Sequence, residues 1–247
     1  MKLIVMALGM VLLMIGLKGQ TQEAHWAEAA QAYTEGHYLL ARDIYESEIA
    51  AEIYNVDIFF NLGLIYETIH DDGRAVLNYL RAYELAPRDA EVREKLNLYQ
   101  IKTEFYLQDA LFILANLSLP FLSLQELSLM LVLVTIGFSL ALAHALYRKD
   151  WGWRRVVIST VSILFLASVM LFWARWYSNT RYPSVVVVEE SALMSGPATD
   201  YLRYRSLSSG TVGRVISEAE GWYLIILPDQ ELGWVPERQA RKVLALE

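Results

Sequence analysis

A chain of 247 residues is long enough for more than one small domain. Its net charge of −7 argues against the basic face that nucleic-acid binding requires. It contains no cysteine, so disulfides, thiolate metal sites and cysteine nucleophiles are excluded. The scattered histidines have no metal-ligand spacing, and we expect no metal and no cofactor; they are His25, His37, His70 and His144.

Residues 1–20 are typical of a signal peptide. Lys2 is followed by an uninterrupted apolar run that begins at Leu3. Small residues suited to cleavage are limited to Gly16 and Gly19. Cleavage near Gly19 and retention as an uncleaved anchor both stay open, and either one predicts export of the residues that follow.

An internal repeat occupies the first part of residues 22–109. Ala41 and Ala75 lie 34 residues apart, and so do Tyr45 and Tyr79. This period, with small residues where helices approach and aromatic residues between hairpins, resembles the tetratricopeptide repeat. The resemblance implies an all-α domain of two helical hairpins.

A capping helix is predicted after the second hairpin. Pro87 cannot continue a helix and is expected to end the hairpin. Asp89 is a preferred N-cap residue, and the apolar periodicity after it predicts a helix over 90–107. This helix would cover the exposed apolar face of the last hairpin.

The tetratricopeptide resemblance also implies a groove for a peptide or protein partner. In that fold the first helix of each hairpin lines the concave surface, which here places Trp26, Ala30, Tyr33, Phe60, Asn61, Leu64 and Glu67. Asn61 is expected to hold a ligand backbone, while the aromatic residues offer rigid apolar area. In the alternative interpretation, Trp26 and Tyr33 only pack the N-terminal hairpin.

Two apolar segments, 127–147 and 156–177, predict a transmembrane helical hairpin, since each is about long enough to cross ~30 Å of hydrocarbon. Residues 110–126 are apolar but interrupted, and we expect them to lie in the membrane interface. The loop 148–155 between the spans carries four cations, and the positive-inside rule predicts that it is cytoplasmic. These topology-setting residues are Arg148, Lys149, Arg154 and Arg155.

Beyond the second span, short β-branched and apolar runs with turn signals predict a small all-β barrel over 184–243. The pattern resembles a bacterial SH3-type domain, except that Gln230 replaces the usual turn glycine, which predicts a looser turn. The residues that carry the resemblance are Ser195, Gly196, Pro197, Leu207, Gly210, Val212, Gly221, Trp222 and the run Gly233, Trp234, Val235 and Pro236. Trp222 and Trp234 are candidates for a ligand shelf, although Trp234 is equally suited to the core.

The order of signal peptide, repeats, paired spans and SH3-type domain is similar to that of the BatE proteins of the Bat aerotolerance operon. The resemblance implies partnership with membrane proteins that carry von Willebrand A domains and with a MoxR-type ATPase. It also implies an inner-membrane location, with both folded domains periplasmic. It assigns no catalytic residue to the chain.

No nucleophile, acid–base pair or phosphate-binding loop is recognisable, so we expect no enzymatic activity. The favoured function is a non-catalytic inner-membrane scaffold whose two outer domains recruit protein partners. The alternative is a membrane-tethered module that binds peptidoglycan or another cell-envelope component.

Overall fold

The computed structural model describes residues 25–101, 122–147 and 151–243. The predicted signal peptide, most of the predicted interfacial segment, and Arg148 and Lys149 lie outside these residues. Within the described ranges the chain forms seven helices followed by one antiparallel sheet of seven strands. The fold therefore combines a helical region, two long apolar helices and a β-sheet.

The helical region contains five helices joined by short connections. Asn55 accepts a hydrogen bond from the Asp57 backbone N–H at the start of α3, and Asp71 accepts one from the Arg74 N–H in α4. α4 ends at Leu85, immediately before Ala86 and Pro87, as predicted. The five helices are α1 over 25–34, α2 Tyr38–Ala50, α3 Val56–Thr68, α4 Asp72–Leu85 and α5 Ala90–Leu98.

The 34-residue period is visible in the backbone. Gly36 after α1 and His70 after α3 are both left-handed, with φ of 82° and 62°. The next residue bonds back across each turn, from His37 N–H to the Ala32 carbonyl and from Asp71 N–H to the Tyr66 carbonyl. Helices α2 and α5 also end with a left-handed residue, so the shared spacing, and not the turn alone, relates the two hairpins.

Side chains recur with the same spacing and extend it into α5. The equivalent residues Ala41 and Ala75 are both fully buried, and so is Tyr79, the counterpart of the buried Tyr45. Asn55 and Asp89 are 34 residues apart, and each caps the helix that follows it. By position, α5 is thus a third copy of the helix that opens each hairpin.

The predicted helix over 90–107 is wrong in its end point. α5 stops at Leu98, because Gln100 adopts a left-handed conformation with φ of 53° and its N–H bonds to the Asn97 carbonyl. The Ile101 N–H closes the turn by bonding to the Leu96 carbonyl. Compared with α3, which ends at Thr68, α5 is four residues shorter, or about one helical turn.

Helices α6 (Leu124–Tyr147) and α7 (Trp151–Arg181) pack against each other and correspond to the two predicted spans. Both are long and apolar enough to cross a membrane, with mean hydropathies of 2.1 and 2.4 and little surface buried inside the protein. α6 begins three residues earlier than the predicted span. A reciprocal capping pair explains this start, because Ser123 N–H donates to the Glu126 carboxylate and Glu126 N–H donates to the Ser123 hydroxyl.

The bounds of the second span also differ from the prediction. α7 includes 151–155, which were predicted as loop, and it continues to Arg181 beyond the predicted end at 177. Its 31 residues correspond to about 46 Å, well over the ~30 Å of a hydrocarbon core. Its last turns are embedded in the protein, where Ala174 and Ser178 are fully buried.

The strands form one open sheet in the order β3-β2-β6-β5-β4-β1-β7. The predicted closed barrel is therefore wrong: β3 and β7 are edges with no ladder between them. β3 offers little apolar surface for closure, because four of its five residues are exposed. The strands are β1 Ser184–Val187, β2 Ser191–Met194, β3 Arg203–Leu207, β4 Val212–Ala219, β5 Trp222–Ile226, β6 Leu232–Pro236 and β7 Ala240–Lys242.

The β5–β6 turn is tighter than its sequence predicts. Gln230 adopts a left-handed φ of 70°, and its N–H bonds to the Leu227 carbonyl, while the Leu227 N–H bonds to Glu231. A residue other than glycine can occupy this region at an energetic cost. The substitution therefore strains the turn instead of loosening it.

The helical region and the sheet share a hydrophobic core. α4 packs on β1, and Val76 of α4 is buried with Val186, Val188 and Val212 of the sheet. Gly73 makes the closest approach, since a Cβ at this position would lie 2.4 Å from the Val188 carbonyl oxygen. The two regions therefore form a common interface, which we call the α4–sheet interface.

Polar contacts extend this interface to the end of α7. Arg81 Nε donates to the Val243 carbonyl at 3.0 Å, and burial lowers the pKa of its guanidinium. Arg214 Nη1 donates to the Tyr182 carbonyl at 2.8 Å, and burial lowers the pKa of Arg214 to about 10. Arg175 of α7 lies 3.9 Å from the Glu84 carboxylate of α4. The end of α7 is thus held against both regions.

Candidate binding surfaces

A small pocket lies between α1, α2 and α3, where a partner groove is predicted. It has a volume of about 150 Å³ and includes Ala30, Tyr33, Asn61 and Leu64 from the predicted groove. Asn61 Nδ2 donates to the Tyr45 hydroxyl at 3.1 Å, which leaves its second N–H and its carbonyl for other partners. The structure therefore brings four of the seven predicted residues together.

The other three predicted residues have separate surroundings. Phe60 packs on Tyr79, with 5.7 Å between ring centroids. Glu67 accepts hydrogen bonds from the Tyr79 hydroxyl and from Lys95 Nζ, at 2.9 Å for the lysine. Trp26 packs against the helical core, and its buried indole nitrogen has no partner within the described ranges. Phe60 and Glu67 thus contribute to packing between the second hairpin and α5.

Glu67 gives a pH-dependent test of this packing. Burial raises the pKa of Glu67, but hydrogen bonds from Tyr79 and Lys95 lower it more, so the net pKa lies below the ordinary value. A carboxylate with a lowered pKa stabilises the fold at neutral pH, and this contribution is lost as pH falls through that pKa. We expect Glu67→Gln to cost about 1 kcal/mol at neutral pH, reduced from larger values by partial exposure.

The difference between wild type and Glu67→Gln should shrink below about pH 4, where the wild-type carboxylate also becomes neutral. Hydrogen exchange of the α3, α4 and α5 amides in the full chain measures it. Glu94→Gln, at an exposed position on α5, is the matched control and should leave exchange unchanged. A constant difference between wild type and Glu67→Gln from neutral to acidic pH would contradict the role assigned to this carboxylate.

The second surface is a cleft on the outer face of the sheet, which we call the sheet cleft. Its volume is about 710 Å³, and it lies between β2, β3 and the turn after β6. The apolar part of its lining includes Ala192, Met194, Trp222 and Pro236, with Tyr201 on the rim. Of the two tryptophans predicted as a ligand shelf, only Trp222 lines this cleft.

Trp234 lies on the same face of the sheet as Trp222. Trp222 pairs with Pro236 and Leu224 pairs with Trp234, and alternate residues of a strand share one face. Both tryptophans are half-buried, whereas Tyr223, Ile225 and Val235 between them form the opposite, buried face. Neither tryptophan belongs to the buried core of the sheet.

Two arginines in the sheet cleft were not predicted as site residues. Arg203 lies on β3, and Arg238 lies in the 3-10 turn Glu237–Gln239 after β6. Arg203 donates to the Ser206 hydroxyl, and neither arginine forms an ion pair with a described residue. Their separation of 35 residues leaves no local sequence signal that could join them.

A metal site finds no support in the part of the chain that the structure describes, where no group of three or more His, Asp or Glu side chains is placed to hold an ion. Comparison with models of known protein families finds no match. Comparison with curated proteins also finds no match. The functional argument therefore depends on the geometry and on the sequence.

Proposed function

We propose that the chain is a non-catalytic, membrane-anchored scaffold whose helical and sheet regions lie on one side of the membrane and recruit protein partners. In this proposal α6 and α7 are the membrane-spanning hairpin. The observation that carries it is the α4–sheet interface. This interface joins the region before the hairpin to the region after it.

The interface supports a definite topology. A hairpin of two spans returns the chain to the side from which it entered, so regions flanking it can pack together without crossing the bilayer. The basic residues Arg154 and Arg155 near the opposite end of the hairpin favour a cytoplasmic loop. We therefore assign the helical region and the sheet to the periplasmic side of an inner membrane.

The recurrence in α1–α5 supports tetratricopeptide repeats as the class of the helical region. The period of 34 residues persists through three N-terminal helices of successive units, and the buried alanine and tyrosine positions repeat with it. Repeats of this kind commonly present a concave binding surface. The pocket at Tyr33 and Asn61 is the part of that surface we assign to partner binding.

The sheet is assigned to the bacterial SH3 type in an open form. Its exposed cleft supplies a second binding surface within the same extramembrane unit. From the resemblance to BatE proteins, the proposed partners are membrane proteins with von Willebrand A domains and a MoxR-type ATPase. A link to aerotolerance or envelope stress belongs to the same resemblance.

The test uses the tagged full chain in native membranes, with chemical crosslinking and quantitative mass spectrometry. Tyr33→Ala with Asn61→Ala is expected to lower recovery of a defined set of proteins by on the order of tenfold, because both side chains line the pocket. The matched control is Leu39→Ala with Leu40→Ala, two exposed residues on α2. Equal recovery from wild type and both variants would contradict partner binding at the pocket.

A second candidate function is binding of the cell envelope through the sheet cleft. The exposed Tyr201 and half-buried Trp222 offer aromatic faces of the kind on which sugar rings stack. Retention of the full chain, in detergent, on purified sacculi would favour this function if Trp222→Ala abolishes it. Recovery in the unbound fraction would favour the scaffold.

A further inference from the structure

We infer that the sheet cleft binds an extended acidic segment of a protein partner, with carboxylates on Arg203 and Arg238 and an apolar side chain against Trp222. This inference rests on the proposed scaffold function and specifies the partner's chemistry. The cleft, about 710 Å³ in volume, lies within the usual size range of ligand sites.

The charges of the sheet single out this cleft. Arg205, which does not line it, is paired with Asp229 at 2.9 Å and with Glu231 at 3.1 Å. Lys242 is likewise paired with Glu218 at 2.9 Å. Arg203 and Arg238 line the cleft without an acidic partner among the described residues, although the chain as a whole carries −7. The local charge is thus opposite to the net charge of the protein.

Guanidinium groups select the ligand type. Arginine presents a planar fork of N–H donors that matches a carboxylate in two parallel hydrogen bonds. Two such groups beside one cleft suit a ligand with at least two carboxylates. Glu190 also lines the cleft, so the ligand needs a neutral or basic residue next to it.

The apolar lining accounts for the second part of the ligand. Met194 and Trp222 form part of the cleft wall, and Pro236 pairs with Trp222 across β5 and β6. A half-buried tryptophan beside a flexible methionine accommodates an aliphatic or aromatic side chain. An acidic peptide with one such residue uses both the charged and the apolar parts of the cleft.

The experiment pans a random dodecapeptide display library against the full chain in nanodiscs, then measures affinities of enriched peptides by fluorescence anisotropy. The expected enrichment is for peptides with two or more carboxylates and an aliphatic or aromatic residue. Arg203→Gln with Arg238→Gln should weaken their binding at least tenfold, and binding should fall as ionic strength rises. Both arginines are exposed, so the variant is expected to fold.

The matched control is Arg205→Gln with Arg241→Gln, which removes the same charge from the sheet without altering the cleft lining. It should change affinity less than threefold. Enrichment without acidic residues, equal weakening by both double variants, or binding of sacculi in place of peptides would overturn the inference. Partner recovery that still depends on Tyr33 and Asn61 would then leave the scaffold function standing, so the two failures are distinguishable.

Discussion

Gly63→Leu is expected to disrupt packing of the helical region, with a loss of about 3 kcal/mol. A Cβ at this position would lie 2.4 Å from Tyr79 Cε1. The ring of Tyr79 cannot swing away easily, because it is fully buried, packs on Phe60 and donates its hydroxyl to Glu67. α3 and α4 must therefore separate to accept a side chain.

Hydrogen exchange of α3 and α4 in the full chain measures this loss directly, since protection falls when local opening becomes easier. Gly63→Ala should show a smaller effect of the same kind. Gly137→Leu on α6 is the matched control, because a Cβ there meets nothing within 4 Å. If α3 and α4 keep wild-type protection in Gly63→Leu, the close approach of these helices is wrong.

Gly73→Leu is expected to separate the helical region from the sheet while each keeps its own core. A Cβ at Gly73 would lie 2.4 Å from the Val188 carbonyl oxygen and 2.7 Å from its Cα, which are backbone atoms of the sheet. Backbone held on both sides by hydrogen bonds has little room to yield, so the contact should cost about 2–3 kcal/mol. The helical propensity of leucine exceeds that of glycine, so α4 itself should not weaken.

The expected signature is higher hydrogen exchange at β1 and at the exposed start of α4, with unchanged protection in α3 and β5. Gly152→Leu in α7 is the control, because no atom lies within 4 Å of a Cβ there. Loss of protection throughout α3 would indicate unfolding instead of separation and would contradict the prediction.

Local signals in the sequence account for much of the helical region. Pro87 and Asp89 mark a helix end and a helix start because their effects act within one turn. The pair Ser123 and Glu126 is also a readable capping signal, and using it would have placed the start of α6 at Leu124. The end of α5 was missed because a left-handed glutamine, Gln100, has no strong sequence signature.

Long-range features were beyond such signals. Val76, Val186 and Val188 each suit the core of their own region, and only the fold shows that they share one. Trp222, Arg203 and Arg238 meet in the sheet cleft through strand pairing and not through spacing. The open sheet follows from the exposed residues of β3, whereas a count of predicted strands favoured closure.

The most direct test of the account joins Arg74→Cys on α4 and Glu189→Cys beyond β1 with a short bismaleimide reagent in native membranes. The native side chains approach to 3.9 Å, and the chain has no cysteine of its own to interfere. The account predicts an intramolecular crosslink that disappears when Gly73→Leu is added. Two cysteines that each react with maleimide but never join within one chain would contradict a shared extramembrane unit.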